Sequence, residues 1–242
     1  MNPVSDRPVA VITGGSRGIG QAISARLAQK GFKVYAASRT VPDEPMPDGV
    51  QHAVLDVTDS ASVTSFFNVL AEGDRRVDVL VNNAGAAASD RLDDLCNDVW
   101  RHVLATNLDG AYTCVKAALP LIPAQTGRII NIASVLGLKG VPDQPAYVAA
   151  KHGLVGLTRA LAHALGQNGI TVNAICPGWV DTSMARGRFQ TLGITEEEAA
   201  RSAPTGRITT PEEVAGLVAY LVSTDAANIT GQALVIDGGW LA

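Results

Sequence analysis

Short apolar runs rich in β-branched residues alternate along this chain with longer segments whose apolar residues recur every three or four positions. The runs that predict strands read PVAVITGG, KVYAAS, AVLD, DVLVNNAG, GRIINIAS, ITVNAICPG and ALVIDGG. Strands that alternate with helices form a parallel sheet covered by helices on both faces. Because such crossovers are right-handed, the pattern predicts an α/β fold with a doubly wound parallel sheet.

Two of the intervening segments predict helices, from Ile19 to Lys30 and from Ala146 to Gly166. The second helix places Tyr147 and Lys151 one turn apart on one face. A tyrosine has an ordinary pKa of about 10, and a nearby ammonium lowers that pKa and eases proton donation. The same spacing also arises by chance on helices, and Ser134, at the end of GRIINIAS, is equally compatible with a plain strand terminus. These residues alone leave both interpretations open.

The composition fits one domain over residues 1-242. Of the 242 residues, 47% are hydrophobic and 17% charged, which is enough to build a core. The net charge is -4 and the basic residues are scattered, so neither nucleic acid nor an anionic membrane is predicted as a partner. No apolar stretch approaches 18 residues, and MNPVSDRP lacks the apolar centre of a signal peptide, so we expect a soluble cytoplasmic protein.

Cysteine usage and one polar segment refine this picture. The three cysteines, Cys96, Cys114 and Cys176, stand far apart in apolar surroundings, so we expect buried free thiols. Neither HExxH nor CxxC occurs, and no metal site is predicted. The polar segment at residues 181-205 departs from the strand and helix alternation. We predict that it forms a lid, with Gly187 and Gly193 as hinges.

The run VAVITGGSRGIG places Gly14, Gly18 and Gly20 between the first strand and the first helix. Glycine permits a tight turn and lets the backbone approach a pyrophosphate, while the helix N-terminus supplies unpaired N–H groups and a partial positive charge. This position favours a dinucleotide site over a merely flexible connection.

The end of the second strand indicates which nicotinamide cofactor is bound. An acidic residue there accepts hydrogen bonds from the ribose of NAD, but this chain has Ser38 and Arg39 in the run AASRT. Arg39, together with Arg17 in the glycine loop, suits the 2'-phosphate of NADP. We therefore predict NADP(H). The alternative is that both arginines are simply solvated.

Several motifs together resemble the short-chain dehydrogenase/reductase family: TGGSRGIG, NNAG, Asn107 in a helix, Ser134, YVAAK and the PG after the sixth strand occur in that family's order. The resemblance covers essentially the whole chain and implies a Rossmann-type fold. It also implies that Tyr147 is the catalytic acid and base, that Ser134 holds the carbonyl oxygen, and that Lys151 binds the nicotinamide ribose and lowers the tyrosine pKa. By the same resemblance Asn107 anchors a proton-relay water.

The resemblance extends the predicted cofactor contacts to the ends of the later strands. Ordinary structural roles are the alternatives: Asp56 as a helix cap, Asn83 as a brace between strands, and Pro177-Gly178 as a turn. The predicted cofactor contacts are Gly14, Ser16, Arg17, Gly18, Ile19, Gly20, Ser38, Arg39, Asp56, Val57, Asn83, Ala84, Gly85, Tyr147, Lys151, Pro177, Gly178, Val180 and Thr182.

Two groups of relatives suggest different substrates. Most motifs are similar to 3-oxoacyl-acyl-carrier-protein reductases and aromatic-polyketide ketoreductases, whereas ICPGWV and DGGW look more like 3-hydroxybutyrate dehydrogenases. The latter hold a small carboxylate with a lysine three residues before the tyrosine and a histidine two after the serine. This chain has Gln144 and Leu136 there, and a free carboxylate left without donors is poorly held. We therefore predict reduction of a 3-oxoacyl thioester or related ketone.

The predicted substrate contacts are Ser134, Gln144, Tyr147, Trp179 and Met184. The alternatives are a solvent-facing loop amide for Gln144 and a core or subunit-contact role for Trp179 and Met184. An NAD-dependent 3-hydroxybutyrate-type or other secondary alcohol dehydrogenase stays open, as does a non-catalytic NADP-binding sensor. The complete set of serine, tyrosine, lysine and asparagine argues against the sensor, because a pure binder needs no tyrosine acid. The resemblance also implies a homotetramer, with acyl carrier protein as a candidate partner.

Overall fold

In this computed structural model, which describes residues 7–43, 45–89, 92 and 97–242, a seven-stranded parallel sheet forms the centre of the described chain. The strand order is β3-β2-β1-β4-β5-β6-β7. The strands are β1 Val9–Thr13, β2 Lys33–Ser38, β3 Val50–Val54, β4 Val79–Asn82, β5 Arg128–Ile132, β6 Thr171–Pro177 and β7 Ala233–Ile236. The predicted doubly wound parallel sheet is confirmed.

Helices connect the strands and cover both faces of the sheet. They are α1 Gly18–Gln29, α2 Ser60–Glu72, α3 Asp98–Leu104, α4 Gly110–Ala118, α5 Pro145–Leu165, α6 Ser183–Leu192, α7 Glu196–Arg201 and α8 Pro211–Leu221. A π-helical turn, Ala105–Asp109, joins α3 to α4. The two helices predicted from the sequence begin and end within one residue of α1 and α5, because their apolar spacing is regular over the whole length.

Alternate residues of the central strands bury their side chains on opposite faces. Val11 and Ile129 pack against α2 and α4 on one face, and Ile12 and Ile130 pack against α1 and α8 on the other. All four are fully buried. Burying one such side chain contributes about 1.5–3 kcal/mol, so this double-sided core fixes the positions of the strand ends.

The strand order reverses direction between β1 and β4, which are neighbours in the sheet although β2 and β3 intervene in the chain. In open α/β sheets a crevice forms at this point beyond the carboxyl ends of the strands, and ligands bind there. The glycine loop follows β1 and the NNAG run ends β4, so both line this crevice.

The segment at residues 181–205 folds as the two short helices α6 and α7. Gly193 ends α6 in the left-handed region, with φ of 66°. Gly187 lies inside α6, and its role as a hinge stays a prediction. Whether the segment moves as a lid stays a prediction.

Three further sequence expectations concern the cysteines, membrane-spanning helices and metal sites. Cys114 and Cys176 are free and buried, as predicted, whereas Cys96 lies outside the described residues. Within the described ranges no helix is both long and apolar enough to cross a membrane. The same ranges contain no group of three histidine, cysteine, aspartate or glutamate side chains that could hold a metal ion.

Candidate active site

The glycine loop between β1 and α1 forms an open cradle, which side chains in place of the glycines would fill. Gly14 and Gly18 have φ of 63° and 52°, a region that favours glycine. A Cβ on Gly20 would overlap the carbonyl oxygen of Gly14 and lie 2.6 Å from Nδ2 of Asn83. Arg17 begins α1 without a side-chain cap, which leaves the first N–H groups of the helix available. These features fit the pyrophosphate of a dinucleotide.

Asn83 and Thr13 join the end of β4 to this cradle. Asn83 Nδ2 donates hydrogen bonds to the carbonyl oxygens of Thr13 and Gly14, at 2.9 and 3.0 Å. Thr13 Oγ1 accepts hydrogen bonds from the backbone N–H groups of Asn83 and Ala84, both at 3.0 Å. The bracing role considered for Asn83 is therefore present. Sequence reasoning missed Thr13, although it is a polar residue at the end of an otherwise apolar strand.

The residues predicted to select the cofactor follow β1 and β2, which are neighbours in the sheet. Arg17 and Arg39 are both exposed. The hydroxyl of Ser38 contacts the carbonyl oxygen of Thr40 at 3.0 Å and Nε2 of His52 at 2.9 Å, so it is already engaged within the protein.

Asp56 lies near Arg39, two residues after the end of β3. Hydrogen bonds from the hydroxyl and N–H of Thr58 lower the pKa of its carboxyl, and the positive charge of Arg39 lowers it further. Asp59, rather than Asp56, caps α2. Asp56 is therefore free of the capping role considered from the sequence. Its neighbour Val57 packs against Gly110 at the start of α4.

The chain after β6 returns to the glycine loop. Gly178 passes close to the segment after β7, because a Cβ on Gly178 would lie 2.9 Å from Cβ of Asp237. Val180 is buried and bridges to Thr209. Thr182 caps α6, and its Cγ2 lies 3.3 Å from the position of a Cβ on Gly18. The predicted cofactor contacts that follow β6 therefore lie next to those in the glycine loop that follows β1.

Ser134 and Tyr147 come together just beyond β5 and at the start of α5. Ser134 is buried, and its Oγ accepts a hydrogen bond from the N–H of Leu136 at 3.1 Å. Burial raises the pKa of Tyr147 to about 12, and a hydrogen bond with Ser134 opposes this rise. The expectation that Lys151 lowers the pKa of this tyrosine is therefore wrong for this structure, because burial raises it.

Lys151 lies on the same face of α5 as Tyr147, one turn further along. Its Nζ is 5.5 Å from the centroid of the tyrosine ring and donates a hydrogen bond to the carbonyl oxygen of Ile132 at 2.8 Å. Burial lowers the pKa of this ammonium from 10.5 to about 8. The buried amine therefore stays mostly protonated at neutral pH.

Asn107 occupies the π-helical turn between α3 and α4, a distortion often found at functional sites. Its Nδ2 donates hydrogen bonds to the carbonyl oxygens of Ala86 and Val103, at 2.7 and 2.8 Å. Its Oδ1 is buried and accepts no hydrogen bond from any described residue. A Cβ added to Gly85 would lie 3.0 Å from this oxygen and 3.9 Å from Nζ of Lys151. An oriented acceptor therefore stands beside the lysine.

Replacing Lys151 with methionine is expected to raise stability at neutral pH by an amount that falls as the pH rises. Below pH 8 the lysine is protonated in both the folded and the unfolded chain, so the cost of burying the charge, about 3 kcal/mol, applies in full. Between pH 8 and 10.5 the folded chain loses the proton first, and the cost shrinks. Denaturant unfolding at pH 7 and 9.5 measures the difference between the variant and the wild type.

The control for this experiment is Lys116→Met, which removes an exposed lysine of α4. A difference between Lys151→Met and wild type that stays constant, or grows, from pH 7 to 9.5 would contradict the assigned pKa.

The predicted substrate residues occupy different surroundings. Gln144 precedes α5 and is 5% exposed, and its side-chain amide hydrogen-bonds no described residue. The Trp179 ring packs edge-on against Phe189 of α6, with centroids 4.9 Å apart. Met184, on the first turn of α6, is half exposed. The structure thus brings Ser134, Tyr147, Lys151 and Asn107 into one crevice, while Trp179 packs within the α6 and α7 cluster.

Comparison with known proteins agrees with this arrangement. The profile of a family described as enoyl-(acyl carrier protein) reductase matches residues 14–241. The chain belongs to the short-chain dehydrogenase/reductase family. Members of the short-chain dehydrogenase/reductase family are oxidoreductases that act on ketones or alcohols with a nicotinamide cofactor.

Individual relatives span the chain. It is 43% identical to a protein of Streptomyces virginiae named as a ketoacyl reductase of the monensin polyketide synthase, over 96% of each sequence. It is 38% identical to the D-beta-hydroxybutyrate dehydrogenase of Rhizobium meliloti, over 96% of this chain and 98% of that one. A crystal structure of an actinorhodin polyketide ketoreductase variant with NADPH superposes with a TM-score of 0.88, at 35% identity and 97% coverage of both chains.

Proposed function

We propose that this protein is an NADP(H)-dependent oxidoreductase that reduces the ketone of a 3-oxoacyl thioester to a secondary alcohol. The observation that carries the proposal is the meeting of Ser134, Tyr147, Lys151 and Asn107 at the carboxyl edge of the sheet, next to the glycine cradle. A ketone oxygen needs a hydrogen-bond donor and a proton as it gains negative charge. These four side chains can supply both.

The glycine cradle would hold the pyrophosphate of the cofactor, and its nicotinamide would supply a hydride for the carbonyl carbon. The Ser134 hydroxyl donates a hydrogen bond to the ketone oxygen and orients it, and Tyr147 gives that oxygen its phenolic proton. The buried ammonium of Lys151, 5.5 Å from the ring, stabilises the phenolate that remains. Asn107 Oδ1 holds a water that returns a proton to the tyrosine by way of Lys151.

NADP(H) is the cofactor that the arginine pair favours. A 2'-phosphate is doubly or nearly doubly charged, and Arg17 and Arg39 offer forked donors beside the adenosine end of the cradle. No carboxylate directly follows β2, where NAD-specific sites place one. The NADPH in the related polyketide ketoreductase supports the same choice.

Arg39→Leu is expected to raise the KM for NADPH about tenfold or more and to leave the KM for NADH within about twofold, because a charge-assisted hydrogen bond contributes about 1.5–3 kcal/mol. Arg26→Leu, at an exposed position further along α1, is the matched control. Equal losses with both cofactors, or wild-type efficiency with NADH at or above that with NADPH, would overturn the choice of NADP(H).

The substrate proposal rests on what surrounds the reacting oxygen. Leu136 and Gln144 stand where the hydroxybutyrate relatives place cationic carboxylate ligands, and a free carboxylate beside them lacks charged partners. An acyl chain bound as a thioester has no free carboxylate and so avoids the cost of burying an unpaired charge. The name of the Streptomyces virginiae relative supports a ketoacyl substrate, whereas that of the Rhizobium relative supports the second candidate, an NAD-dependent 3-hydroxybutyrate-type dehydrogenase.

A substrate panel tests the proposal. Acetoacetyl thioesters on coenzyme A and on acyl carrier protein, free acetoacetate, cyclic and aryl ketones, and an enoyl thioester are each offered with NADPH and with NADH. The thioester ketones with NADPH should be reduced fastest. Acetoacetate with NADH as the best pair would replace the proposal by the second candidate, and binding of NADPH without turnover of any ketone would favour a sensor. A homotetramer, acyl carrier protein as partner and a cytoplasmic location stay predictions.

A further inference from the structure

Arg188 connects helix α6 to two segments on the other side of the crevice. Its Nη1 donates a hydrogen bond to Oγ of Ser89 at 3.0 Å, and its Nη2 forms an ion pair with the carboxylate of Asp143. Ser89 and Asp143 are 99 and 45 residues away in sequence. A single guanidinium therefore attaches α6 to two segments that already pack together, since Ala88 shares a hydrophobic cluster with Ala146 and Tyr147 of α5.

Both segments belong to the site already described. Ser89 follows the NNAG run and lies three residues beyond Ala86, whose carbonyl oxygen accepts the hydrogen bond from Asn107. Asp143 directly precedes the buried Gln144, which lies immediately before α5 and about one turn before Tyr147. The contacts of Arg188 with Ser89 and Asp143, which we call the tether, thus end on the segments that lead to Asn107 and to Tyr147.

A second ion pair on α6 shows why this tether differs from ordinary surface charge. Arg186 pairs with Asp181, just before the same helix, and their side chains are 56% and 47% exposed. Such exposed pairs contribute little. The Arg188 side chain is only 14% exposed and engages two acceptors with its planar fork, which fixes its geometry.

The remaining contacts of α6 hold it near the glycine loop and not near Tyr147. Thr182 packs beside Gly18 at one end, and Phe189 packs on Trp179 beneath the helix. Among the described residues, no other side chain of α6 hydrogen-bonds the segments that contain Ser89 and Asp143. Without Arg188 the free side of α6 has no polar attachment there.

We propose that Arg188 is a positioning residue for the substrate side of this active site. It acts through Ser89 and Asp143, which it holds against α6, and so sets the width of the crevice that receives the acyl part of the ketone. It takes no part in proton transfer. The proposal rests on the proposed ketone reduction, because it takes the crevice to be the place where the acyl part of the ketone binds.

The kinetic test compares Arg188→Ala and Asp143→Asn with the matched controls Arg186→Ala and Asp181→Asn. Each variant at the tether should raise the KM for the ketone about tenfold, while kcat stays within about threefold and the KM for NADPH within twofold. The controls should change each constant by less than twofold. Arg188→Lys, which can reach one acceptor at a time, should recover part of the loss.

Hydrogen exchange of the α6 amides gives a second measurement that needs no substrate. Exchange over residues 183–192 should be several-fold faster in Arg188→Ala than in wild type, and unchanged in Arg186→Ala, with β5 equally protected in both. If exchange is faster in Arg188→Ala but the wild type turns over no ketone, then Arg188 does hold α6 in place and the proposed reaction is refuted.

Two results would overturn the proposal. If Arg188→Ala matches Arg186→Ala in both KM and exchange, the tether holds nothing in place. If Arg188→Ala raises the ketone KM but Asp143→Asn does not, and exchange is unchanged, Arg188 contacts the substrate directly and is no positioning residue.

Discussion

Tyr147→Phe is expected to lower kcat for ketone reduction by about 10²- to 10⁴-fold, the range that a positioned general acid contributes. The substitution removes only the hydroxyl, so the ring continues to fill its place at the start of α5. Ser134 can still orient the ketone, but no group then delivers a proton as the oxygen becomes negative. Binding of NADPH, followed by its fluorescence, should change by less than about threefold.

The chain provides a matched control for this experiment. Tyr112 and Lys116 on α4 have the same four-residue spacing as Tyr147 and Lys151, and the ammonium again lies 5.5 Å from the ring centroid. Tyr112, however, is 48% exposed and lies outside the crevice. Tyr112→Phe should leave kcat within twofold of wild type. Equal effects of the two substitutions would contradict the catalytic assignment.

Gly20→Ala is expected to weaken NADPH binding about 100-fold, equal to about 2.7 kcal/mol. The added methyl group would overlap the carbonyl oxygen of Gly14 and press on the side chain of Asn83. Because the overlap is with backbone, the cradle itself must shift, and its N–H groups lose their aim at the pyrophosphate. Overpacking of this kind also costs stability, by about 1–3 kcal/mol. Titration with NADPH and thermal unfolding measure the two effects separately.

Gly216→Ala is the control for the glycine substitution, since no atom lies within 4 Å of the position of a Cβ at this residue of α8. An alanine within a helix is favoured over glycine by about 0.5–1 kcal/mol, so this variant should be slightly more stable and bind NADPH normally. Gly20→Ala with an unchanged dissociation constant would contradict the placement of the cofactor in this loop.

Much of the fold follows from local sequence patterns. The β-branched runs and the helical spacing predict the strands and helices that pack into the double-sided core. The edge strand β3 is only partly buried, and it begins and ends earlier than the predicted run AVLD. The resemblance of the ordered motifs to the short-chain dehydrogenase/reductase family implies that Ser134, Tyr147, Lys151 and Asn107 share a site. The spacing of Tyr147 and Lys151 alone would not have sufficed, because Tyr112 and Lys116 share it.

The features that the sequence could not supply depend on contacts between distant parts of the chain. The brace from Asn83 to Thr13 crosses 70 residues, and the ion pair of Arg188 with Asp143 crosses 45. The pKa of Tyr147 is raised by burial, which only the packed structure reveals. Gly187 suggested a hinge by composition, yet it lies inside α6, because a single glycine costs a helix only about 1 kcal/mol.

Ketone reduction with NADPH by way of Tyr147 can be followed through the hydrogen that is transferred. Acetoacetyl thioester is supplied with NADPH carrying deuterium at both C4 positions, and the product is analysed by mass spectrometry. The expected product is a 3-hydroxyacyl thioester with one deuterium on carbon 3, formed in proportion to the NADPH consumed and absent with Tyr147→Phe. A product without deuterium on that carbon, or equal yields from the wild type and Tyr147→Phe, would contradict ketone reduction by way of Tyr147.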